Sequence, residues 1–416
     1  MAPLTSPLQG LALLLTGGRK RGVEMDLADW PRMAIVYLLA VLSSLVKPRW
    51  VPQRHFPLLE VRLQRATPPD PSRVSAWRAL VGWAKPAPSP GAAAPKTATA
   101  AAAMTPQAAD AATPLPALFF MAQAFRLVMS LLTLPAFPTA IMGTVVNKRA
   151  RYALLRPVLP SEGVAYAARL DPATRQTPGG HGELDVHVEA RALTGGSNGG
   201  GGGGHGGDGG GELVFAAVLT LVLMNPKPRR RDPGAAAPAA KAADDPLLSD
   251  APPIASWRFA ADVGRRYALI DGDVSPMHLS ALTARLSGFP SPVANVHLVA
   301  ARAERELAAA VDEIGGSAGG DVDAAAVAAS ASLLQPLPAP YALELEFKRP
   351  TLLPNTLNLA PSTPAGARGG KAAILAAAAA DAGGYGFRVA DGKGRPVAVG
   401  ALRCGARAVQ AAMQTW

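Results

Sequence analysis

YALIDGDVSPMHLSALTARLSGFPSPVANVHLVAARAEREL, residues 267–307, divides into two parts. The first places Asp273 and His278 five residues apart, with Gly272 and Pro276 beside them. Gly and Pro at such positions favour a tight, irregular turn, and a turn can aim both side chains into one cleft. The second part follows the Pro290–Pro292 bend. Its residues Val296, Ala300, Ala303, Leu307 and Val311 fall at helical spacing, with Arg302, Arg305 and Glu306 elsewhere on the wheel. A helix is expected from Val293 onward.

Downstream, Tyr341 to Lys348 alternates: Tyr341, Leu343, Leu345 and Phe347 on one face, Ala342, Glu344, Glu346 and Lys348 on the other. That is a strand with one wet side. Strands are also expected at 355–360, 384–391 and 396–403, and just upstream at Trp257–Asp262. The N-terminal half repeats the theme. Leu118 to Leu134 is apolar nearly all round, as a buried central helix is, and Pro135 and Pro138 end it. Strands are expected at Gly163–Leu170, Glu183–Leu193 and Glu212–Met224. Phe56–Leu63 reads as a short strand, and Asp70-Pro71-Ser72 as the cap of a helix through Val74, Trp77, Leu80 and Trp83. A helix followed by several strands, twice, predicts a duplicated α+β fold in which each antiparallel sheet wraps one central helix.

The expected organisation is a basic and apolar segment at 1–49, a first half at 50–225, a Pro/Ala/basic linker at 226–253 and a second half at 254–416. Ala-, Gly- and Pro-rich stretches at 85–114, 195–211, 315–332 and 366–382 read as insertions without visible function. The glycine run at 199–211 lacks the strand, helix and Lys that a phosphate loop needs. Met33 to Val46 is uncharged and apolar, but its 14 residues fall short of the roughly 20 that span a bilayer. Membrane contact through 30–49 is therefore the lesser reading beside a docked helix. The net charge of +11 suits an anionic partner. No basic motif interleaved with aromatics and no zinc spacing supports nucleic acid or metal. The single cysteine, Cys404, excludes an internal disulfide framework. Localisation stays open between the cytoplasm and an organelle.

A carboxylate beside an imidazole makes a general acid/base pair. A helix N-terminus beside them supplies unpaired N–H groups and a favourable dipole for a developing oxyanion. These residues carry a resemblance. Tyr267, Leu269, Gly272, Asp273, Ser275, Pro276, Met277, His278 and Ala284 stand where the MaoC-like dehydratases, including the (R)-specific enoyl-CoA hydratases, have their signature. Gly288-Phe289-Pro-Ser-Pro292-Val293-Ala294-Asn295-Val296-His297 resembles that family's helix start, and Phe347–Leu357 a strand and bend downstream. Leu134–Val158 is similar to the non-catalytic half of double hot-dog members. No Gly-Asp-x-x-Pro-x-His occurs in that half, so one site per chain is implied.

The resemblance implies that Asp273 and His278 activate water for addition to an enoyl thioester carried on coenzyme A or a carrier protein, with no cofactor. Ser275 stands where the family has Asn, Asn295-Val296 where it has His-Gly, and His297 where it has Met. Gly272 and Ser275 are then supporting residues, and the region of Asn295 and Val296 supplies the oxyanion donor through the Val296 backbone. Tyr267, His297, Lys348 and Arg349 are candidate substrate contacts. Two further readings stay open: a non-catalytic thioester-binding protein on the same fold, and a membrane-associated lipid protein. Pairing into a homodimer is also left open.

Overall fold

The computed structural model describes residues 22–25, 33–47, 56–63, 67–83, 111–137, 139–140, 145–177, 179–192, 211–225, 252–318, 335–362 and 384–416. The expected insertions and the linker lie wholly or largely outside these residues. Of these stretches 111–114, 211, 252–253 and 315–318 are described, and 315–318 continue a helix rather than opening a loop.

Eleven strands are described: β1 Gly22–Met25, β2 Leu59–Leu63, β3 Val145–Leu154, β4 Val164–Gln176, β5 Gly182–Ala192, β6 Glu212–Leu223, β7 Ala255–Phe259, β8 Tyr341–Phe347, β9 Asn355–Pro361, β10 Gly384–Asp391 and β11 Pro396–Cys404. They form one sheet in the order β1-β2-β4-β5-β6-β3-β8-β11-β10-β9-β7. Read outward from the middle, β3-β6-β5-β4-β2 and β8-β11-β10-β9-β7 are the same sequence of strands, five places apart in chain order. The two halves are thus copies of one topology, joined edge to edge. At the joint, β3 and β8 pair antiparallel, with Arg149 opposite Glu346 and Arg151 opposite Glu344. The glutamates on the polar face of β8 therefore face cationic partners across the strand pair.

Each half carries a long helix between its first and second strands: α3 Ala117–Thr133 after α1 Met33–Val46 and α2 Pro71–Val81, and α7 Val296–Ala318 after the short helices α4 Val263–Asp271, α5 Pro276–Leu279 and α6 Ala281–Leu286. The nine-residue helix α8, Ala406–Gln414, lies against β8 and β11. Helix α3 packs across β2 to β6 and is buried except at Gln123, Phe125 and Arg126, as its uniformly apolar sequence requires. Helix α7 packs on β8 and on α3. This is a double hot-dog, an α+β fold.

The two central helices also meet through polar groups. Helix α3 has Pro116 at its N-cap, which offers no side-chain acceptor. Its first amides are instead satisfied by Glu304 of α7: Ala117 N–H and Leu118 N–H donate to the Glu304 carboxylate at 2.8 and 3.2 Å. Tyr341 of β8 donates to the same carboxylate and accepts from Ala117 N–H at 2.9 Å.

Helix α1 docks on this frame against α3, with Val36, Tyr37 and Ala40 buried. Leu38, Val41, Leu42 and Leu45 remain exposed on it. No described helix is long and apolar enough to cross a membrane.

Candidate active site

The stretch expected to be an irregular turn is largely helical. Tyr267 to Asp271 closes α4, which ends at Gly272 in the left-handed conformation, φ +85°. Glycine is required there twice over. The backbone angle strains any L side chain, and a Cβ would lie 2.9 Å from Met33 Cγ of α1. His278 sits on the single turn α5, which starts with Ser275 as N-cap and Pro276 at its first position. A Cβ on Gly264 would lie 2.8 Å from the His278 carbonyl oxygen, so this second glycine lets α4 lie against α5.

Asp273 is buried at the meeting point of α1, the α4–α5 connection and the start of α7. Its two oxygens have different company. Oδ1 accepts from the Tyr37 hydroxyl, from Ser275 Oγ at 2.5 Å and from Ser275 N–H at 3.2 Å. Oδ2 accepts from Asn295 Nδ2 at 2.6 Å and faces His278 Nε2 at 3.4 Å. That last distance is long for a charge-assisted hydrogen bond, which runs about 2.7–2.9 Å. Oδ1 is thus filled, whereas Oδ2 and Nε2 stand side by side, too close for a third atom between them but placed so that one polar group lying beside the pair can bond to both. His278 Nδ1 lies 2.7 Å from the Val293 carbonyl. A carbonyl only accepts, so Nδ1 carries a proton, and in the neutral ring Nε2 is the bare nitrogen.

Asn295 does more than replace another residue. Nδ2 also donates to Asp271 Oδ2 at 3.2 Å, and Oδ1 accepts from His297 N–H at 2.8 Å, capping α7. Asp271 is fully buried, and its Oδ1 accepts from Asp273 N–H at 2.8 Å. The first amide of α7, Val296 N–H, has no acceptor within the helix. The Val296 side chain is half-buried.

The charges follow from this packing. Burial works to raise Asp273, but the His278 charge and the donors from His278, Ser275 and Tyr37 outweigh it and hold Asp273 well below the usual carboxylate range. Burial and the adjacent Asp273 charge push Asp271 far up, so it is the neutral member of the two. Burial works to lower His278, and Asp273 more than reverses this, leaving it raised. Burial and Asp273 also raise Tyr37, which therefore stays a protonated donor.

The structure brings together Gly272, Asp273, Ser275, His278 and Asn295, and Val296 follows Asn295 as the first residue of α7. Tyr267 is fully buried within the core. His297 is also buried, with Nδ1 2.8 Å from the Tyr152 hydroxyl and its ring against Phe125. Burial lowers it to about 4, and Nε2 has no partner among the described residues. Lys348 and Arg349 are exposed at the end of β8. Lys348 Nζ pairs with Glu346 at 3.0 Å, and no bond among the described residues ties either to Asp273 or His278. Two residues escaped the sequence reading. Asp271 adjoins the motif and could have been found from Asp-Gly-Asp; Tyr37 lies in a uniformly apolar run, and only its lone hydroxyl distinguishes it. Among the described residues no cluster is built to hold a metal ion.

No family model matches the chain, and no curated protein matches its sequence. Solved structures do. HtdX of Mycobacterium tuberculosis is 20% identical with a TM-score of 0.49, over 83% of this chain and 99% of its own. A MaoC-like dehydratase from Phytophthora capsici is 13% identical with a TM-score of 0.48, over 85% of this chain and 97% of its own. A Mycobacterium tuberculosis protein described as a double hot-dog is 12% identical with a TM-score of 0.35, over 70% of this chain and 81% of its own.

Proposed function

We propose that this chain is a MaoC-like hydro-lyase that interconverts trans-2-enoyl and (R)-3-hydroxyacyl thioesters in fatty-acyl metabolism. The observation that carries the reading is the approach of Asp273 Oδ2 to His278 Nε2 at 3.4 Å, with Val293 fixing the imidazole from behind. A water lying beside the pair donates to Nε2 and to Oδ2. As Nε2 takes its proton, the water oxygen bonds to C3 of the enoyl group, and the C2=C3 electron pair moves onto the thioester oxygen. The resulting imidazolium faces ionised Asp273. The Val296 amide, at the positive end of α7, is the donor for the enolate oxygen. The proton on Nε2 then passes to C2, which restores the thioester carbonyl and the neutral imidazole. Dehydration is the same path reversed. The acyl group is carried on coenzyme A or a carrier protein, and the stereochemical assignment rests on the sequence motif.

The branched Val296 side chain supports a second reading, binding of the thioester without turnover. One assay separates them. Loss of enoyl absorbance is followed with short- and long-chain trans-2-enoyl-CoA for the wild type, Asp273→Asn and His278→Ala. The hydro-lyase reading expects turnover in the wild type and losses of at least about a hundredfold in both variants. No turnover at any chain length, with binding retained, leaves the thioester-binding protein.

A further inference from the structure

We infer that Tyr37, contributed by the N-terminal helix α1, is a positioning residue of this site: its hydroxyl engages Asp273 Oδ1 and so leaves Oδ2 for the reacting water. The inference rests on the hydro-lyase reading and adds to it a residue 236 positions from Asp273 in the chain.

A carboxylate has about four lone-pair sites. Ser275 Oγ and N–H approach Oδ1, but both come from the Asp273 turn itself and move with it. Tyr37 is the donor to Oδ1 that comes from a separate element. Together with Asn295 on Oδ2, it sets the rotation of the carboxyl group relative to the rest of the fold. On the other oxygen, Asn295 occupies one side and His278 Nε2 stands at 3.4 Å. Were the carboxyl free to turn, either oxygen could close on His278 and abolish the place for water.

The placement of Tyr37 is built into the packing. Val36 and Ala40 beside it are fully buried. Met33, one turn earlier, lies against Gly272, where a Cβ would collide with it. The backbone of Gly272 and the hydroxyl of Tyr37 thus bring α1 onto the Asp273 turn at two points. Lys47, after the last turn of α1, donates to the Leu134 carbonyl at 2.8 Å and fastens the other end to the C-terminus of α3.

The test is Tyr37→Phe, which keeps the ring and removes the hydroxyl, beside Val36→Ala, which loosens the same helix and keeps it. The groups whose charges face Asp273 and His278 are Asp271 at the end of α4, His297 on α7 and Tyr37 itself, with Arg73 of α2 near Asp271. None but Tyr37 changes in the first variant. With a 2-enoyl-CoA as substrate, Tyr37→Phe is expected to lower kcat about ten- to a hundredfold, the effect of one hydrogen bond to a charged group, with KM nearly unchanged. The acidic limb of its rate profile moves to higher pH, because Asp273 without this donor holds the His278 proton more tightly. Imidazole resonances, with His278 identified by its loss in His278→Asn, titrate higher in Tyr37→Phe and at the wild-type position in Val36→Ala. A wild-type kcat and pH profile in Tyr37→Phe, or equal shifts in both variants, overturns the inference. An inactive wild type overturns the hydro-lyase reading instead, and the imidazole titration then decides the placement of Tyr37 by itself.

Discussion

Asn295 Nδ2 lies 2.6 Å from Asp273 Oδ2, and the same side chain caps the start of α7. One residue therefore ties the carboxylate to the helix start whose first amide is the proposed oxyanion donor. Asn295→Ala removes the charge-assisted bond and the cap together. The cap alone is worth about 1 kcal/mol, and the bond to the charged group about 1.5–3 kcal/mol. The variant is expected to melt at a clearly lower temperature and to lose at least about tenfold in kcat. Asn295→Asp keeps the cap but sets a third carboxylate beside Asp271 and Asp273, and it is expected to be the less active of the two. Thermal melts beside steady-state kinetics check both.

The proposed hydration needs neutral His278 next to ionised Asp273. Asp273 is held low, so it stays charged throughout the ordinary pH range. His278 is raised above 6.5, chiefly through Asp273 against the cost of burial. Activity should therefore fall as pH drops through the raised value of His278, with no second limb in the usual carboxylate range. In Asp273→Asn the support for the imidazolium is gone while burial remains, so His278 should titrate lower than in the wild type. Rate profiles between pH 5 and 9, and imidazole titration of the variant, are the measurements.

Alternation in the sequence made most of the sheet legible: β2, β4, β5, β6 and β8 to β11 fall where apolar and polar residues take turns or where apolar runs are bounded by turn residues. β3 was not among the expected strands, because Asn147, Lys148, Arg149 and Arg151 break its pattern; the charged ones make sense only opposite Glu183, Glu344 and Glu346 on other strands. Asp273 and His278 were legible because their spacing is local. The rest of the site was not, because it is assembled across elements. Asn295 read as a departure from a motif, yet its side chain spans two carboxylates. Helix α1 read as a docked helix or a membrane contact; its burial on one face and exposure of four large apolar residues on the rest explain why composition alone did not decide.

Glu304 gives a stability prediction separate from activity. Burial raises it to about 7, although Tyr341, Leu118 and Ala117 all donate to it and pull it back. A carboxyl group whose folded value lies above its unfolded one contributes stability that is complete below the unfolded value, near 4.5, and is lost as pH rises through the folded value. Glu304→Gln removes this dependence and turns an N–H toward the Leu118 amide, at a cost of about 1–3 kcal/mol for the unmatched donors. The variant should be less stable than the wild type at pH 5, and the difference should shrink by pH 8. Melting curves at the two pH values report it.

The Val296 amide can be tested without disturbing its neighbours. Proline suits the first position of a helix, where its fixed φ fits and no intrahelical bond is lost. The residue before it must be extended, as an N-cap residue ordinarily is. Val296→Pro therefore deletes the proposed oxyanion donor and little else. Loss of one such donor typically costs a hundred- to a thousandfold, about 2.7–4 kcal/mol in the barrier, so kcat should fall on that scale while the melting temperature changes little. Val296→Gly is the complement: it keeps the N–H and removes the branched side chain. If that side chain restricts the approach of the thioester, kcat/KM for 2-enoyl thioesters rises in Val296→Gly while Val296→Pro stays inactive. Unchanged kinetics in the proline variant would place the enolate oxygen elsewhere, with His297 Nε2, buried and without a partner among the described residues, the next donor to remove.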